Sequence, residues 1–408
     1  MSSVLAPSAP RPWSTTSRPA AFARAVTALV GLAVLLQGCS WFGSDDDDPR
    51  RPAELVDFTP ALKVREAWSA GVGGGNDILR LALGPASDGS RIFAADNDGR
   101  VAAFDAQRGK RLWRTGTDLP LAGGPAVGSD HVVTGSSDGW VVSLAASDGH
   151  EEWRVNVASE VLAAPAVGPK AAYVRTVDGK LIALDLADGR QLWFAQQNVP
   201  RLSVRGTGAP VVDHNLVICG FDNGRVAAYD ASEGSVVWDV LVDPPSGRTE
   251  VERLADINAT VVVIGSDVYS VGYQGRLSAL ARESGQILWS VEFSSYSGIG
   301  ADLNNLYASA DTGELLAVER ASGRELWRRS DLAFRDLTAP TPFAGSVVVG
   351  DFEGYLHFFD AASGEPRARV RADSHRITSA PLVVNDTLYV LTDGGDLVAF
   401  REDRPREK

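Results

Sequence analysis

Histidine, cysteine and methionine are scarce in this chain: 5, 2 and 1 among 408 residues. The five histidines, His131, His150, His214, His357 and His375, are scattered without metal-ligand spacing. No His-Glu-x-x-His, Gly-x-Ser-x-Gly or phosphate-loop pattern occurs either. The sequence therefore offers no catalytic residue, no metal site and no cofactor site. Its two cysteines, Cys39 and Cys219, cannot build a disulfide framework. Positive charge is also in deficit, with 39 Lys and Arg against 52 Asp and Glu, a formal net charge of −13. That balance argues against nucleic acid, which selects basic stripes. It argues equally against a body lying directly on anionic lipid. Long apolar runs are missing too: the stretch Ala25 to Leu36 is too short to span a membrane.

What the chain has in abundance is a repeat. Asp98-Gly99-Arg100-Val101-Ala102-Ala103-Phe104-Asp105 is followed by Gly109 and Trp113, so a glycine is followed by a large apolar residue at +5, a glycine at +10 and an aromatic at +14. The pattern returns from Gly139, Gly179, Gly224, Gly275, Gly313, Gly354 and Gly395, with intervals of 40, 40, 45, 51, 38, 41 and 41 residues. The seventh copy has Ala368 in place of the aromatic, and the eighth stops soon after Phe400. A period near 40 means a stack of identical supersecondary units. Within a unit, alternating apolar runs bounded by Asp-Gly and by a second glycine read as short strands joined by tight turns. Acidic residues such as Asp98, Asp138 and Asp178 recur at these turns and set their geometry. Four strands per unit are the content of one propeller blade. Pro125, Pro165, Pro210, Pro340 and Pro381 each stand 14 residues before a first glycine, where an edge strand tolerates the missing donor. The fold expected is all-β, an eight-bladed β-propeller of four-stranded antiparallel blades.

Closure of the ring follows from the two ends. The eighth unit runs out of chain before its Trp strand, while Arg65-Glu66-Ala67-Trp68-Ser69 is a Trp strand without a unit of its own. The N-terminal strand should complete the last blade. Each Trp should pack at a blade junction, and Cys219 should be a small buried residue of a strand.

The chain divides into a signal segment (1–38), a tether (39–60), the propeller (61–402) and a short tail (403–408). Arg11, Arg18 and Arg24 precede the apolar stretch, and Leu36-Gln37-Gly38-Cys39 follows it, the layout of an export signal. The ending resembles a bacterial lipobox, which implies lipidation of Cys39, and Ser40 after it implies the outer membrane. Acyl chains at about 0.8 kcal/mol per buried CH₂ would anchor the chain stably. Asp45 to Asp48 and the following Pro49-Arg50-Arg51-Pro52 read as a solvated tether of about 20–25 Å through Asp57.

Function should sit where the repeat is irregular. The distance from the unit's Trp to the next first glycine is 26 residues after Trp113 and Trp153, but 31 after Trp193 and 37 after Trp238. Both excesses leave the same face on adjacent blades. The first loop, 198–208, contains Leu202, Val204 and Arg205; the second, 243–258, ends on Asp256, Ile257 and Asn258. Apolar groups beside an Arg on an exposed loop fit a protein-binding anchor. The alternative is that these loops fold down to plug the channel.

The unit Asp-Gly-x-[Leu/Val]-x-Ala-x-[Asp/Glu]-x-x-x-Gly-x-x-x-Trp resembles the repeat of quinoprotein (PQQ-type) propellers. With the lipobox, the loop Leu202 to Gly206, Thr249 to Asp256 and Asp351-Phe352-Glu353-Gly354-Tyr355-Leu356, it resembles most specifically the BamB lipoprotein family of the outer-membrane β-barrel assembly machinery. The resemblance covers about Lys63 to Arg401. It implies a non-catalytic, periplasm-facing adaptor without cofactor, monomeric apart from its complex, that binds the POTRA domains of the barrel subunit BamA. It further implies contacts through Leu202, Val204 and Arg205 in the first loop and through Asp256 in the second. Asn258 stands where that family often has Asp. The other readings are a PQQ-dependent quinoprotein dehydrogenase, whose extra length and adjacent cysteines this chain lacks, and an unrelated cell-envelope propeller adaptor.

If the Trp residues are junction packing, Trp193→Ala should cost roughly 3–5 kcal/mol. An unchanged melting temperature for that variant would contradict the packing role.

Overall fold

The computed structural model describes residues 50–74, 81, 83–203, 208–245, 248–249, 251, 254 and 256–403. The chain divides into two units, Met1–Arg51 and Pro52–Lys408, and every described strand lies in the second. Among the described residues thirty-two strands form eight four-stranded antiparallel sheets, an eight-bladed β-propeller. Blade one runs Ala86–Ser87, Arg91–Ala95, Arg100–Asp105 and Arg111–Gly116. Its first strand is innermost, and the first strands of successive blades lie side by side from blade one to blade eight.

The third strand of a blade, such as Val101 to Phe104, is buried on both faces because a blade packs on each side of it. Its sequence is accordingly a continuous apolar run rather than an alternation. The fourth strand, at the rim, buries the Trp and leaves its neighbours exposed. A bulge recurs between these two strands. Ala103 pairs with Trp113 and Phe104 with Arg111, so Leu112 is the extra residue. A one-residue shift moves every side chain to the opposite face, and here it lets the Trp turn toward the next blade.

That turn gives the repeat its second glycine. The Trp113 Nε1 donates to the Ala146 carbonyl of blade two at 3.0 Å. A Cβ at Gly149, at φ +77°, would lie 2.4 Å from the Trp113 ring. The same pairing recurs at six further junctions, from Trp68 over Gly109 to Trp327 over Gly364. The +14 Trp of one unit therefore demands the +10 glycine of the next.

Blade eight joins the two ends of the chain. Leu382–Val384, Thr387–Leu391 and Asp396–Glu402 are completed by Val64–Gly71, in register from Val64 with Glu402 to Gly71 with Asp396. The N-terminal strand reproduces the recurrent bulge, between Glu66 and Trp68. Cys219 is fully buried in Leu216–Gly220, and burial pushes its thiol pKa up.

The junction of blades seven and eight has Ala368 where the others have Trp, and position 405, where the matching glycine would fall, is Pro. Both halves of the interaction are lost together. Leu62, buried in one cluster with Ala368, Phe358 and Phe400, fills out this junction. It is placed by the Ala61 and Leu62 amides, which both donate to the Arg367 carbonyl. The residues before it are fastened as well. The Ala53 amide donates to the Ala333 carbonyl at 2.8 Å. Arg369 donates to the Val56 carbonyl and covers the Phe58 ring. The reading of residues through 60 as flexible tether is thus corrected: from Ala53 onward backbone bonds and ring contacts hold the chain to blades six and seven.

Leu62→Ala should cost about 2–4 kcal/mol, since it empties a buried junction that has no Trp of its own. Denaturant unfolding checks this, with the exposed Val56→Ala as the control expected to change stability by less than about 0.5 kcal/mol.

Candidate functional site

The two irregular loops leave the same face of the ring, which also carries the Asp-Gly turns between second and third strands. They are joined at their far ends. The Ala209 amide donates to Thr260 Oγ1 at 3.1 Å, and a Cβ at Gly208 would come within 2.7 Å of the Ala259 carbonyl. Glycine is what permits this approach. At the near end of the first loop, Val199 packs so closely on the Gly179 turn that a Cβ there would be 2.7 Å from it.

The second loop is nailed down after its irregular part. Ile257 is fully buried against Gly220, its amide donating to the Phe221 carbonyl at 3.2 Å. The Asp256 carbonyl accepts from the Tyr273 amide at 2.9 Å. One residue pair therefore ties the loop to blade four and to blade five. Beneath Phe221, Arg175 and Asp222 form a buried ion pair at 2.8 Å, with the guanidinium 4.5 Å from the Phe221 ring. Burial pushes the Asp222 pKa up against the pull of Arg175. Removing either partner of such a pair strands a buried charge, so this pair fixes the platform on which the loop rests.

The predicted contact residues fall in different places. Leu202 is exposed at 44%. Val204 and Arg205 lie outside the described residues, as does Cys39. Asp256 is only 1% exposed, so its side chain sits inside the blade junction rather than on the surface. Asn258 is half-buried and lines the central cavity of about 720 Å³, together with Thr260, Tyr296 and Asp336. The Tyr296 hydroxyl donates to Asp336 Oδ1 at 2.9 Å on its wall. Among the described residues no group of three or more His, Cys, Asp or Glu is arranged to hold a metal ion.

One residue of this face went unremarked in the sequence. Asp243 opens the second loop and is 3% exposed. It lines a cavity of about 520 Å³ formed with blades five and six. Neither carboxylate oxygen makes a hydrogen bond of good geometry, although the Arg276 amide is close enough to act on it. Burial pushes its pKa up to about 6, outweighing the Arg276 amide and guanidinium that pull it down. Comparison with Asp373, which stands equally five residues after its unit's aromatic position, would have found it. Asp373 accepts from the Ser374 amide, lies 2.7 Å from His375 Nδ1 and accepts from Thr392 Oγ1 at 3.2 Å. Its pKa is lowered: burial pushes it up, but His375, the Ser374 amide and Thr392 together pull it further down.

A carboxyl whose folded pKa is raised favours the neutral form in the fold. Its contribution is best below the unfolded pKa near 4 and is lost as pH rises through 6. Asp243→Asn should therefore stabilise the chain by about 2 kcal/mol at pH 7.5, and by little below pH 4. Unfolding at the two pH values checks this; equal shifts at both would contradict it.

With this geometry in place, the chain can be set beside known proteins. The family described as "Outer membrane protein assembly factor BamB" matches residues 97–329 and 312–406. A curated relative of that name from Pseudomonas aeruginosa is 46% identical over 373 residues, covering 91% of this chain and 97% of the relative. Another, from Yersinia pestis, is 37% identical over 393 residues, covering 92% and 98%. The crystal structure of BamB from Moraxella catarrhalis superposes with a TM-score of 0.76 at 26% identity, covering 83% of this chain and 100% of that one. A quinohemoprotein alcohol dehydrogenase from Comamonas testosteroni superposes at 0.66 with 14% identity, covering 86% and 79%, a likeness of fold alone. The chain belongs to the BamB family of outer membrane protein assembly factors.

Proposed function

We propose that this chain is a non-catalytic scaffold that binds the POTRA domains of BamA through the surface formed by its two long loops. The observation that carries the reading is the joining of these loops at Gly208 and Ala259, with Leu202 of the first loop exposed. The ring holds both loops by their described ends and brings them out side by side, and an exposed apolar side chain there is an anchor of the kind interfaces use. Leu202, Val204 and Arg205 make the contacts. Asp256, inside the junction, acts by holding the second loop in place, and Asn258 by shaping its exit into the channel. Acylation of Cys39 anchors the chain in the outer membrane, with the ring facing the periplasm. The chain is monomeric outside the assembly complex.

The test is a pull-down of BamA POTRA domains by the mature wild-type chain and by a Leu202→Glu/Arg205→Glu double variant, both verified as folded by circular dichroism. Binding by the wild type and loss of at least about tenfold in affinity in the variant is expected. Equal binding by both would move the surface elsewhere on the ring, and no binding by either would overturn the partner.

A further inference from the structure

The Asp243 carboxylate is buried, faces a cavity and lacks the neighbours that its counterpart Asp373 has. The differences are specific. Where Ser374 offers Asp373 a backbone amide, Asp243 is followed by Pro244, which has no N–H. Where His375 follows, Pro245 stands. Where Thr392, three residues before the next first glycine, donates its hydroxyl, blade five has Gly272. Gly272 is also required by the carboxylate itself, since a Cβ there would lie 2.2 Å from Asp243 Oδ2. Gly275 makes the same allowance, at 2.4 Å. Three donors are absent around a carboxylate that the backbone makes room for.

The cavity it faces is acidic in balance. Glu292, Asp311 and Glu314 line it with Asp243, against Arg276 and Arg328. Arg328 and Glu314 pair with each other, which leaves Asp243, Glu292 and Asp311 against Arg276. The cavity opens on the face that carries both long loops, and Asp243 is itself the first residue of the second.

We infer that this cavity is the seat of a basic side chain, an arginine or lysine of the partner protein that engages the second loop, with Asp243 as its counter-ion. This deepens the proposed scaffold function and rests on it. A guanidinium entering the cavity supplies the donors that Pro244, Pro245 and Gly272 withhold, and a charge-assisted pair out of water is the strong kind. The raised pKa of Asp243 marks a group held ready at a cost in stability, as at binding sites.

Two measurements test it. The first is the affinity of POTRA domains for wild type and Asp243→Asn at pH 7.5. The variant, folded and no less stable, should bind at least about tenfold more weakly. Unchanged affinity would overturn the inference while leaving the scaffold reading intact. The second needs no partner: titration of the mature chain with N-acetylarginine amide, against N-acetylalanine amide, following the Gly272 and Gly275 amide resonances. Saturable shifts with the arginine probe alone, lost in Asp243→Asn, are expected. Their absence would overturn the seat, and their presence in a chain that binds no POTRA domain would sink the partner but keep the seat.

Discussion

The contact on which this molecule depends is a tryptophan ring laid over a glycine of the next blade. It occurs at seven junctions, each time with the indole N–H donating to a carbonyl of the neighbouring blade, from Trp68 to Ala106 round to Trp327 to Ala361. The ring excludes water and the N–H fixes orientation, so one residue supplies both apolar burial and directional specificity. Because the glycine belongs to a different blade from the tryptophan, neither blade is complete alone. Stability is then a property of neighbouring pairs, as in any repeat array. The eighth junction shows the rule by its exception: Ala368 replaces the tryptophan, no glycine is kept opposite, and Leu62 from the far end of the chain is buried there.

The ring was legible because this contact is written in the sequence at fixed spacing. Eight units, the four strands of each and the closing role of Arg65 to Ser69 follow from the positions of glycine and tryptophan, and the burial of Cys219 from the apolar run Leu216 to Ile218 before it. What was not legible lies where contact depends on side chains from segments that carry no repeat. Residues 53–60 read as tether from the Asp and Pro beside them, yet the Ala333 carbonyl and Arg369 of blade seven hold them. No local property of Val56 or Phe58 announces that partner. Asp256 is a contact only by the resemblance; that its side chain lies inside the junction beside the fully buried Ile257 is not written in the loop's composition.

Asp243 was missed for another reason. A carboxylate beside two prolines looks like ordinary loop composition. Its burial, and the removal of each donor that its counterpart enjoys, emerges only when blades are superposed on one another. In a repeat protein the other copies are internal controls, and a position where one copy has lost its partners while keeping its charge marks use by something else. Departures in spacing concentrate in the connections after Trp193 and Trp238, while those after Trp113 and Trp153 keep the regular 26 residues.

The fastening of residues 53–62 also has a mechanical meaning. A pull applied at the N-terminal end of the described chain does not first meet the closing strand, whose pairing begins at Val64 and Glu402. It meets the Ala53 bond to Ala333, then the grip of Arg369 on Val56 and Phe58, then the paired amides of Ala61 and Leu62 on Arg367. These attachments lie on blades six and seven, not on blade eight. Load is therefore spread over two complete blades before it reaches the seam where the ring's two ends join, much as a cable is clamped ahead of its connector.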